Sequence, residues 1–423
     1  MTFGDKKQNP QFGTEFGKKY FGFGKSVVNL NHGSFGAIPT QILDARVKHM
    51  KEIANFPDAF FKFEVFPRIE HSRKLMAEFL DADEDNLVLV TNATTALNTV
   101  LRSYPLNIGD KILFCSTIYG SCLHTLQFLE NRQDIVPVEV TLEYPLSDDQ
   151  IVEIFTKAME EHNPRIVFFD TVSSSPSAII PWERLVEKTR EHGALSCVDG
   201  AHGAGLIPIS LRTARPDFFT TNLHKWLFVP NSCAVFYVDK KHHRHIHTMP
   251  VSAYYVDDKV TLDPKKEKTR LGDMFVYTGT IDYSAMLTIP DALKFRSEVC
   301  GGEEAIREYC VNLAKEAGAL AVKEFGTEVM TGGSTSDSLD IVTSMVNVRL
   351  PLNIPQAERA KVGGDICEYL YRAKDTFAPV FEYNDALWVR FSAQIYLGIT
   401  DFAYGIQSMK DAFKDLGLTV IQK

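Results

Sequence analysis

The chain has 423 residues, 45% of them hydrophobic and 23% charged, which is enough sequence for a large domain and a smaller one with separate cores. Its formal net charge is -9, so it offers no net positive charge to attract nucleic acid or an anionic membrane. We therefore expect a small-molecule substrate.

The N-terminus has no apolar run of signal-peptide length, and no later stretch approaches the roughly 20 apolar residues of a membrane helix. We therefore expect a cytoplasmic protein. The seven cysteines are scattered, without the CxxC or Cys/His clustering of metal sites. We interpret them as reduced, mostly buried residues and expect no metal.

The first residues of the chain are rich in Phe-Gly pairs. These pairs recur through residues 1–25 among Lys, Gln and Asn, a composition that suits an arm lying over a neighbouring surface better than an independent fold. Residues 26–65 follow as an N-terminal segment, which we expect to pack on a small C-terminal domain.

Residues 66–288 carry the pattern of a large α/β domain. Short β-branched or apolar runs alternate there with stretches of helical periodicity, which predicts a mostly parallel seven-stranded sheet with helices on both faces. The predicted strands are residues 87–90, 111–114, 136–140, 166–169, 195–198, 218–220 and 234–238. Ligands of such sheets gather beyond the carboxyl ends of the strands, where Thr91, Asp170, Asp199 and Thr221 should face one crevice.

From residue 289 the pattern changes to longer helical stretches. We predict helices over residues 303–325 and 356–373 and strands over residues 345–350 and 387–391. This arrangement indicates a smaller α+β domain over residues 289–423.

A strand-terminal carboxylate and a later lysine form the first candidate site. Asp199 follows one predicted strand, and Lys225 follows the next strand, directly after His224. This pair suits pyridoxal 5'-phosphate, because a carboxylate keeps the pyridine nitrogen protonated while a lysine binds the aldehyde. Once an incoming amine displaces it, the same lysine can act as the base at Cα, provided that burial lowers its pKa. Taken alone, Asp199 would be a helix cap and His224-Lys225 a solvated turn.

A second candidate site follows the strand at residues 87–90. The run Thr91-Asn92-Ala93-Thr94-Thr95 opens a predicted helix, where backbone N–H groups, hydroxyls and the helix dipole would cradle a phosphate. The simpler interpretation is a threonine N-cap.

Five motifs, in this order, resemble the class V aminotransferases, which are pyridoxal-phosphate enzymes of fold type I. The motifs are Asn29-Leu30-Asn31-His32-Gly33-Ser34-Phe35-Gly36, Asn92-Ala93-Thr94-Thr95, Cys197-Val198-Asp199-Gly200-Ala201-His202-Gly203, Asn222-Leu223-His224-Lys225-Trp226 and Arg390-Phe391-Ser392-Ala393-Gln394-Ile395-Tyr396. The resemblance covers nearly the whole chain from about residue 25. Within the family, the sequence looks most like the fungal hercynylcysteine sulfoxide lyases, with isopenicillin N epimerases and cysteine desulfhydrases nearby.

The resemblance implies a role for each matching residue. Lys225 and Tyr119 would be catalytic, and Arg390 would clamp the substrate carboxylate together with the segment Asn31-His32-Gly33. Thr280 would reach the phosphate bound by the other subunit, which implies a homodimer. The cofactor would be bound by Ala93, Thr94, Thr95, Asp170, Ser173, Asp199, His202, Asn222, His224, Lys225 and Thr280.

Two residues depart from the family pattern. His202 stands where desulfurases and many lyases have Gln, although both side chains can donate a hydrogen bond to the pyridine O3'. Asn222 stands where desulfurases usually have Ser, so we expect phosphate contacts to depend more on His224, Thr94 and Thr95.

The reaction that we expect is β-elimination from an S-substituted cysteine or its sulfoxide, with hercynylcysteine sulfoxide of ergothioneine biosynthesis as one candidate substrate. An epimerase would need a second acid–base group, for which His202 or Tyr119 are available. A cysteine desulfurase would need a nucleophilic cysteine on a mobile loop, whereas Cys367 lies in a predicted helix. A non-catalytic cofactor-binding scaffold is the remaining alternative.

Overall fold

The computed structural model describes residues 10–332 and 339–421. The first Phe-Gly pair, Phe3-Gly4, lies outside these ranges. No helix in the described ranges is both long enough and apolar enough to cross a membrane.

The N-terminal segment is mainly helical. Its elements are α1 (Thr14–Tyr20), β1 (Val28–Asn29), α2 (His32–Phe35), α3 (Thr40–Asn55), α4 (Pro57–Ala59) and α5 (Val65–Phe79), with a π-helical turn, Phe60–Glu64, before α5. The strand β1 is too short to form a sheet by itself, and it pairs in parallel with a strand near the C-terminus, through Val28 and Thr376.

The large sheet has seven strands, as predicted. Its elements are β2 (Leu87–Val90), α6 (Ala93–Ser103), β3 (Lys111–Cys115), α7 (Gly120–Gln133), β4 (Val136–Val140), α8 (Asp148–His162), β5 (Ile166–Asp170), α9 (Trp182–Glu191), β6 (Leu195–Asp199), α10 (Leu211–Ala214), β7 (Phe218–Asn222), α11 (Leu223–Trp226), β8 (Ala234–Val238) and α12 (Pro264–Phe275). The strand order is β2-β8-β7-β6-β5-β3-β4, and only β8 runs antiparallel to its neighbours.

Both faces of the large sheet are covered by helices. Alternate residues of β2 show this, because Leu87 and Leu89 join the apolar core on one face while Val88 and Val90 join the core on the other. A strand buried on both faces needs apolar residues at every position, which explains why the sequence shows continuous apolar runs. The predicted α/β fold with a mostly parallel sheet is therefore confirmed.

The C-terminal part is built on a smaller antiparallel sheet. Its elements are α13 (Ile289–Lys294), α14 (Glu303–Phe325), β9 (Met345–Arg349), α15 (Gln356–Lys374), β10 (Thr376–Phe377), β11 (Val380–Tyr383), β12 (Ala386–Ser392) and α16 (Ile399–Asp415). The sheet order is β11-β12-β9. The strand β11 was not predicted from the sequence, and none of its residues is fully buried. The domain boundary at residue 288 stays a prediction.

The described part of the N-terminal arm packs against its own chain. Phe21 is buried, and its ring lies 5.8 Å from that of Phe228 and 4.8 Å from that of Tyr396. Phe16 in α1 packs beside Phe295, with 6.4 Å between the ring centroids. The phenylalanines of this arm therefore cover the aromatic cluster that backs the candidate site.

Candidate active site

Two carboxylates lie side by side at the carboxyl ends of neighbouring strands. Asp170 is the last residue of β5 and Asp199 the last residue of β6, and their Cα atoms are partners in the parallel register. Both residues are buried. Each strand extends one residue beyond the prediction, so these carboxylates belong to the sheet rather than to the loop after it.

Asp199 is held by donors to both of its oxygens. The backbone N–H of Ala201 donates to Oδ1 at 2.8 Å, and the thiol of Cys122 on α7 donates to Oδ2 at 3.7 Å. Cys122 was not predicted as a site residue from the sequence. Its only signal was its place in the first turn of the helix that follows Tyr119, a residue already predicted to be in the site.

Burial dominates the electrostatics of this carboxylate pair. It raises the pKa of Asp199, against the opposing effects of the Ala201 N–H and the Lys225 amine. Burial also raises the pKa of Asp170 well above its ordinary value, and the neighbouring Asp199 adds to that rise. A cationic group between these carboxylates would stabilise their charged forms.

Lys225 lies on the short helix α11 and contacts His202. The Lys225 Nζ and His202 Nε2 atoms are 3.0 Å apart, and the indole Nε1–H of Trp226 donates to His202 Nδ1 at 3.1 Å. Burial lowers the pKa of Lys225 from 10.5 to about 8, with Arg390 contributing to the fall and Asp199 opposing it. The amine can therefore lose its proton near neutral pH.

The two histidines beside Lys225 are neutral. Burial, followed by the charge of Lys225, lowers the pKa of His202 well below its ordinary value. The same two causes lower the pKa of His224 to about 4. The Nδ1 atom of His224 is buried without a hydrogen-bond partner in the described ranges, so it is available to a ligand.

The predicted phosphate cradle is the N-terminus of α6. Its N-cap is Asn92 rather than a threonine, because the Asn92 Oδ1 accepts the Thr95 N–H at 2.8 Å. The Ala93 N–H donates instead to Asn222 Oδ1 at 2.9 Å, and the Thr95 hydroxyl donates to Asn92. The hydroxyl of Thr94 makes no hydrogen bond within the described residues, so among these groups Thr94 is the free donor.

Arg390 on β12 is buried without a carboxylate partner in the described part of the chain. Its Nη1 donates to the Ser174 carbonyl at 2.6 Å, and its Nη2 donates to Asn31 Oδ1 at 2.9 Å and to Ser34 Oγ at 3.1 Å. Its Nε is buried and unpartnered among these residues. Burial lowers the pKa of Arg390 to about 10, and an anionic ligand would supply the missing counter-charge.

The motif beginning at Asn29 brings Asn31 to Arg390 and places its histidine behind Trp226. His32 is fully buried, its ring lies 5.1 Å from that of Trp226, and its Nδ1 is 3.1 Å from the Tyr396 hydroxyl. Gly36, the last residue of the motif, has a φ of 74° and packs against the backbone of α11. A Cβ there would collide with the carbonyl of His224, so this position requires glycine.

Three predicted site residues have other surroundings. The Ser173 hydroxyl donates to the Pro176 carbonyl at 2.7 Å inside its own loop. Thr280 is exposed, with its hydroxyl 2.9 Å from that of Tyr277. Tyr119 is 51% exposed at the start of α7. The contacts of a single chain do not bring these residues to Lys225, and their assigned roles stay predictions.

The residues of this crevice fit pyridoxal 5'-phosphate. Lys225 is a half-buried amine with a lowered pKa, Asp199 is a buried carboxylate suited to a pyridinium nitrogen, and the α6 N-terminus with Thr94 suits a phosphate. The buried, unpartnered His224 Nδ1 adds a polar atom without another described partner. These groups follow the carboxyl ends of β2, β6 and β7, which run in the same direction, and open α/β sheets bind ligands at that edge.

Comparisons with known proteins show which proteins the chain resembles. The family model described as aminotransferase class-V matches residues 37–320. The chain is 31% identical over 412 residues to hercynylcysteine sulfoxide lyase of Schizosaccharomyces pombe, covering 96% of this chain and 98% of that protein. It is 32% identical over 423 residues to an L-cysteine desulfhydrase-like protein, lolT1, of Epichloe uncinata, covering 90% of this chain and 92% of the relative.

A solved structure of the cystine C-S lyase C-DES, in complex with its product cysteine persulfide, has a similar fold. The TM-score is 0.76 at 16% identity, covering 92% of this chain and 98% of that chain. At this identity the likeness shows the fold alone.

The lowered pKa of Lys225 predicts how fast the cofactor-free protein captures pyridoxal 5'-phosphate. Because only the neutral amine attacks an aldehyde, the capture rate should level off above pH about 8 and fall about tenfold per pH unit below it. The visible absorption of the bound cofactor measures the rate, and Nα-acetyl-lysine is the control. A rate that still climbs steeply at pH 10 would contradict the prediction.

Proposed function

The chain belongs to the class V aminotransferase family, and from this premise we propose that it is a pyridoxal-phosphate-dependent carbon–sulfur lyase. The proposed reaction is β-elimination from an S-substituted cysteine or its sulfoxide. The observation that carries the proposal is the half-buried Lys225, whose Nζ lies 3.0 Å from His202 Nε2 and whose pKa is lowered to about 8 by burial. The buried carboxylates Asp170 and Asp199 end strands of the same sheet.

In the proposed mechanism the residues of the chain position the substrate and move one proton. When bound, the cofactor withdraws electrons from the substrate and makes its Cα proton acidic. Lys225 then accepts that proton as a neutral amine, which its lowered pKa favours. Asp199 keeps the cofactor's pyridine nitrogen protonated, and His202 holds its hydrogen-bonding ring against Lys225.

Arg390 binds the substrate carboxylate in this proposal. Its guanidinium is already oriented by Ser174, Asn31 and Ser34, all of which are uncharged acceptors. An arginine with neutral partners keeps its charge available for an anion. The exposed Tyr119 phenol is a candidate proton donor to the leaving sulfur.

The substrate that we propose is hercynylcysteine sulfoxide or a close analogue, as in ergothioneine biosynthesis. Support comes from the similarity to a hercynylcysteine sulfoxide lyase along almost the entire chain. Elimination of a sulfenate needs one base at Cα and no protein nucleophile.

A cysteine desulfurase activity is less well supported, because it needs a mobile nucleophilic cysteine. Cys367 lies inside α15, where its thiol accepts the Val380 N–H at 3.4 Å. The other six cysteines are buried, and burial raises the pKa of Cys367 itself. A thiol in this state is a poor nucleophile.

We also propose that the enzyme is a homodimer in which Thr280 reaches the phosphate held by the other subunit. Thr280 is exposed in the single chain. A cleft of about 1310 Å³ opens beside Thr94 and Thr95, between α5 and α12. A second copy covering this cleft would bring its own residues to the phosphate cradle.

The lyase proposal is tested with S-alkyl cysteine sulfoxides as substrates. The purified holoenzyme should release pyruvate and ammonia in equal amounts, and Lys225→Ala should lower turnover at least about 10³-fold, because it removes both the cofactor anchor and the base. Lys188→Ala, on the surface of α9, is the control and should keep full activity.

Other products would support other activities. Inversion at Cα without pyruvate would favour an epimerase, and persulfide formation would favour a desulfurase. An unchanged cofactor spectrum on addition of substrate would favour a non-catalytic scaffold.

Replacement of Arg390 tests the carboxylate site. Arg390→Lys should raise KM roughly 10- to 100-fold with a smaller effect on kcat, because the ammonium cannot reproduce a bidentate hydrogen bond. Steady-state kinetics of pyruvate release measure both constants. Arg349→Lys changes an exposed arginine on β9 in the same small sheet and should leave KM unchanged. An unaltered KM in Arg390→Lys would exclude this role.

Thr280→Ala tests the shared site. Light scattering should give twice the mass of the 47.6 kDa chain for both proteins, while the Kd for pyridoxal 5'-phosphate should rise roughly tenfold in the variant through loss of a hydrogen bond to a charged phosphate. Thr213→Ala, which changes an exposed residue of α10 outside this cleft, is the control. A monomeric mass would refute the shared site.

A further inference from the structure

The hydrogen bonds of His202 specify where its ring carries a proton. Trp226 Nε1–H donates to His202 Nδ1 at 3.1 Å, and His202 Nε2 lies 3.0 Å from Lys225 Nζ. An indole N–H can only donate, so Nδ1 must present a lone pair. A neutral imidazole with a lone pair on Nδ1 carries its hydrogen on Nε2, and that hydrogen points at Lys225.

We propose that Trp226 is a positioning residue that locks His202 in the tautomer protonated on Nε2, so that His202 is a constant hydrogen-bond donor at Lys225 and not a second acid–base group. The proposal deepens the proposed lyase function and rests on it for its catalytic meaning. The tautomer itself follows from contacts of the chain alone.

The electrostatics of the site agree with a neutral ring. A cationic His202 would need a proton on Nδ1, directly facing the indole N–H. Burial and the positive charges nearby act against that form and lower the pKa of His202. The charged or titratable groups that face His202 or Lys225 from the surrounding elements are Asp170, Asp199, Cys122, His224 and Arg390.

The indole is held in place from several sides. The Trp226 carbonyl accepts from Arg296 Nη1 at 2.8 Å, and Arg296 is paired with Glu303 at 2.6 Å. The ring packs with Val172, Leu206 and Met345. At Gly33 a Cβ would lie 3.2 Å from Trp226 Cζ2 and 2.7 Å from the sulfur of Met345. Trp226 therefore cannot turn away to let the histidine change its tautomer.

The locked tautomer has a consequence for Lys225. An N–H that points at Nζ is accepted by a neutral amine, whereas an ammonium has no lone pair to accept it. The contact therefore favours the free base of Lys225. This is the direction of the lowered pKa of about 8.

The lock also has a consequence for the choice of reaction. His202 Nε2 could remove a proton from Cα only if its own hydrogen moved to Nδ1, and it could return a proton only as an imidazolium protonated on both nitrogens. Both forms need a hydrogen on Nδ1, where the Trp226 N–H stands. The locked ring leaves Lys225 as the base beside it. A single base suits elimination, whereas inversion at Cα needs acid–base groups on both faces of the substrate.

The tautomer is measured by ¹⁵N NMR of the holoenzyme labelled at histidine, with the His202 signals assigned by their loss in His202→Gln. In the wild type, Nδ1 should give the resonance of an unprotonated nitrogen and Nε2 that of a protonated nitrogen from pH 6 to pH 9. In Trp226→Phe the two resonances should move toward each other as the tautomers mix. Trp388→Phe is the matched control, because it removes an indole N–H bond to the Tyr383 carbonyl.

A double-mutant cycle separates the lock from simple packing. The apparent pKa of Lys225, taken from the pH dependence of cofactor capture, should rise by about one pH unit in Trp226→Phe, because Nε2 can then accept from the ammonium. In the His202→Leu background the same tryptophan replacement should cause no shift, since leucine has no hydrogen-bonding group for the indole to orient.

Two results would overturn the proposal. One is a protonated Nδ1 in the wild type, which needs no variant and decides the matter even if Trp226→Phe does not fold. The other is an equal pKa shift in both backgrounds, which would make Trp226 a packing residue. Neither measurement depends on pyruvate release, so failure of the lyase proposal is seen separately.

Discussion

Desolvation of one amine is the interaction on which the site depends. Lys225 is half-buried at the end of the large sheet, where burial lowers the pKa of its amine and the neutral ring of His202 lies 3.0 Å from Nζ. The carboxylates of Asp170 and Asp199 favour the cationic form of Lys225. Both are themselves buried, so their attraction offsets only part of the cost of burying the ammonium. The balance leaves an amine that can exist as a free base near neutral pH.

Contacts between neighbouring elements fix the position of Lys225. The antiparallel strand β8 supports β7, whose last residue, Asn222, caps the Ala93 N–H of the phosphate cradle. The short helix α11 follows at once and carries Lys225 and Trp226. Gly36 lets the N-terminal motif lie against the backbone of this helix. The cradle and the lysine are therefore joined by direct bonds.

The proposed substrate end of the site is made by three distant parts of the chain. Arg390 comes from the C-terminal sheet, Asn31 from the N-terminal segment and the Ser174 carbonyl from the loop after β5. Asn347 is the cross-strand neighbour of Arg390. Its side chain accepts the Ser177 N–H and donates to the Ser177 carbonyl in that same loop. Bonds between these parts fix the guanidinium before any ligand arrives, which lowers the entropic cost of binding.

Local patterns in the sequence determined the seven strands, the α/β class and the chemical types at the strand ends, including Asp199 and Lys225. These features could be predicted because apolar periodicity and strand-end position are local properties. The limits of the strands were less accurate, since Asp170 and Asp199 continue the ladder with their neighbours. The strand β11 was missed because half-buried residues give no clear alternation.

The contacts between individual atoms could be read only from the folded chain. The thiol of Cys122 against Asp199, the carbonyl of Ser174 under Arg390 and the indole of Trp226 against His202 join residues far apart or on different elements. The tautomer of His202 is the clearest case, because the sequence names the ring but not the donor that faces each nitrogen. Which group donates to which nitrogen depends on how distant parts of the chain are placed in three dimensions. No residue pattern along the chain records that placement.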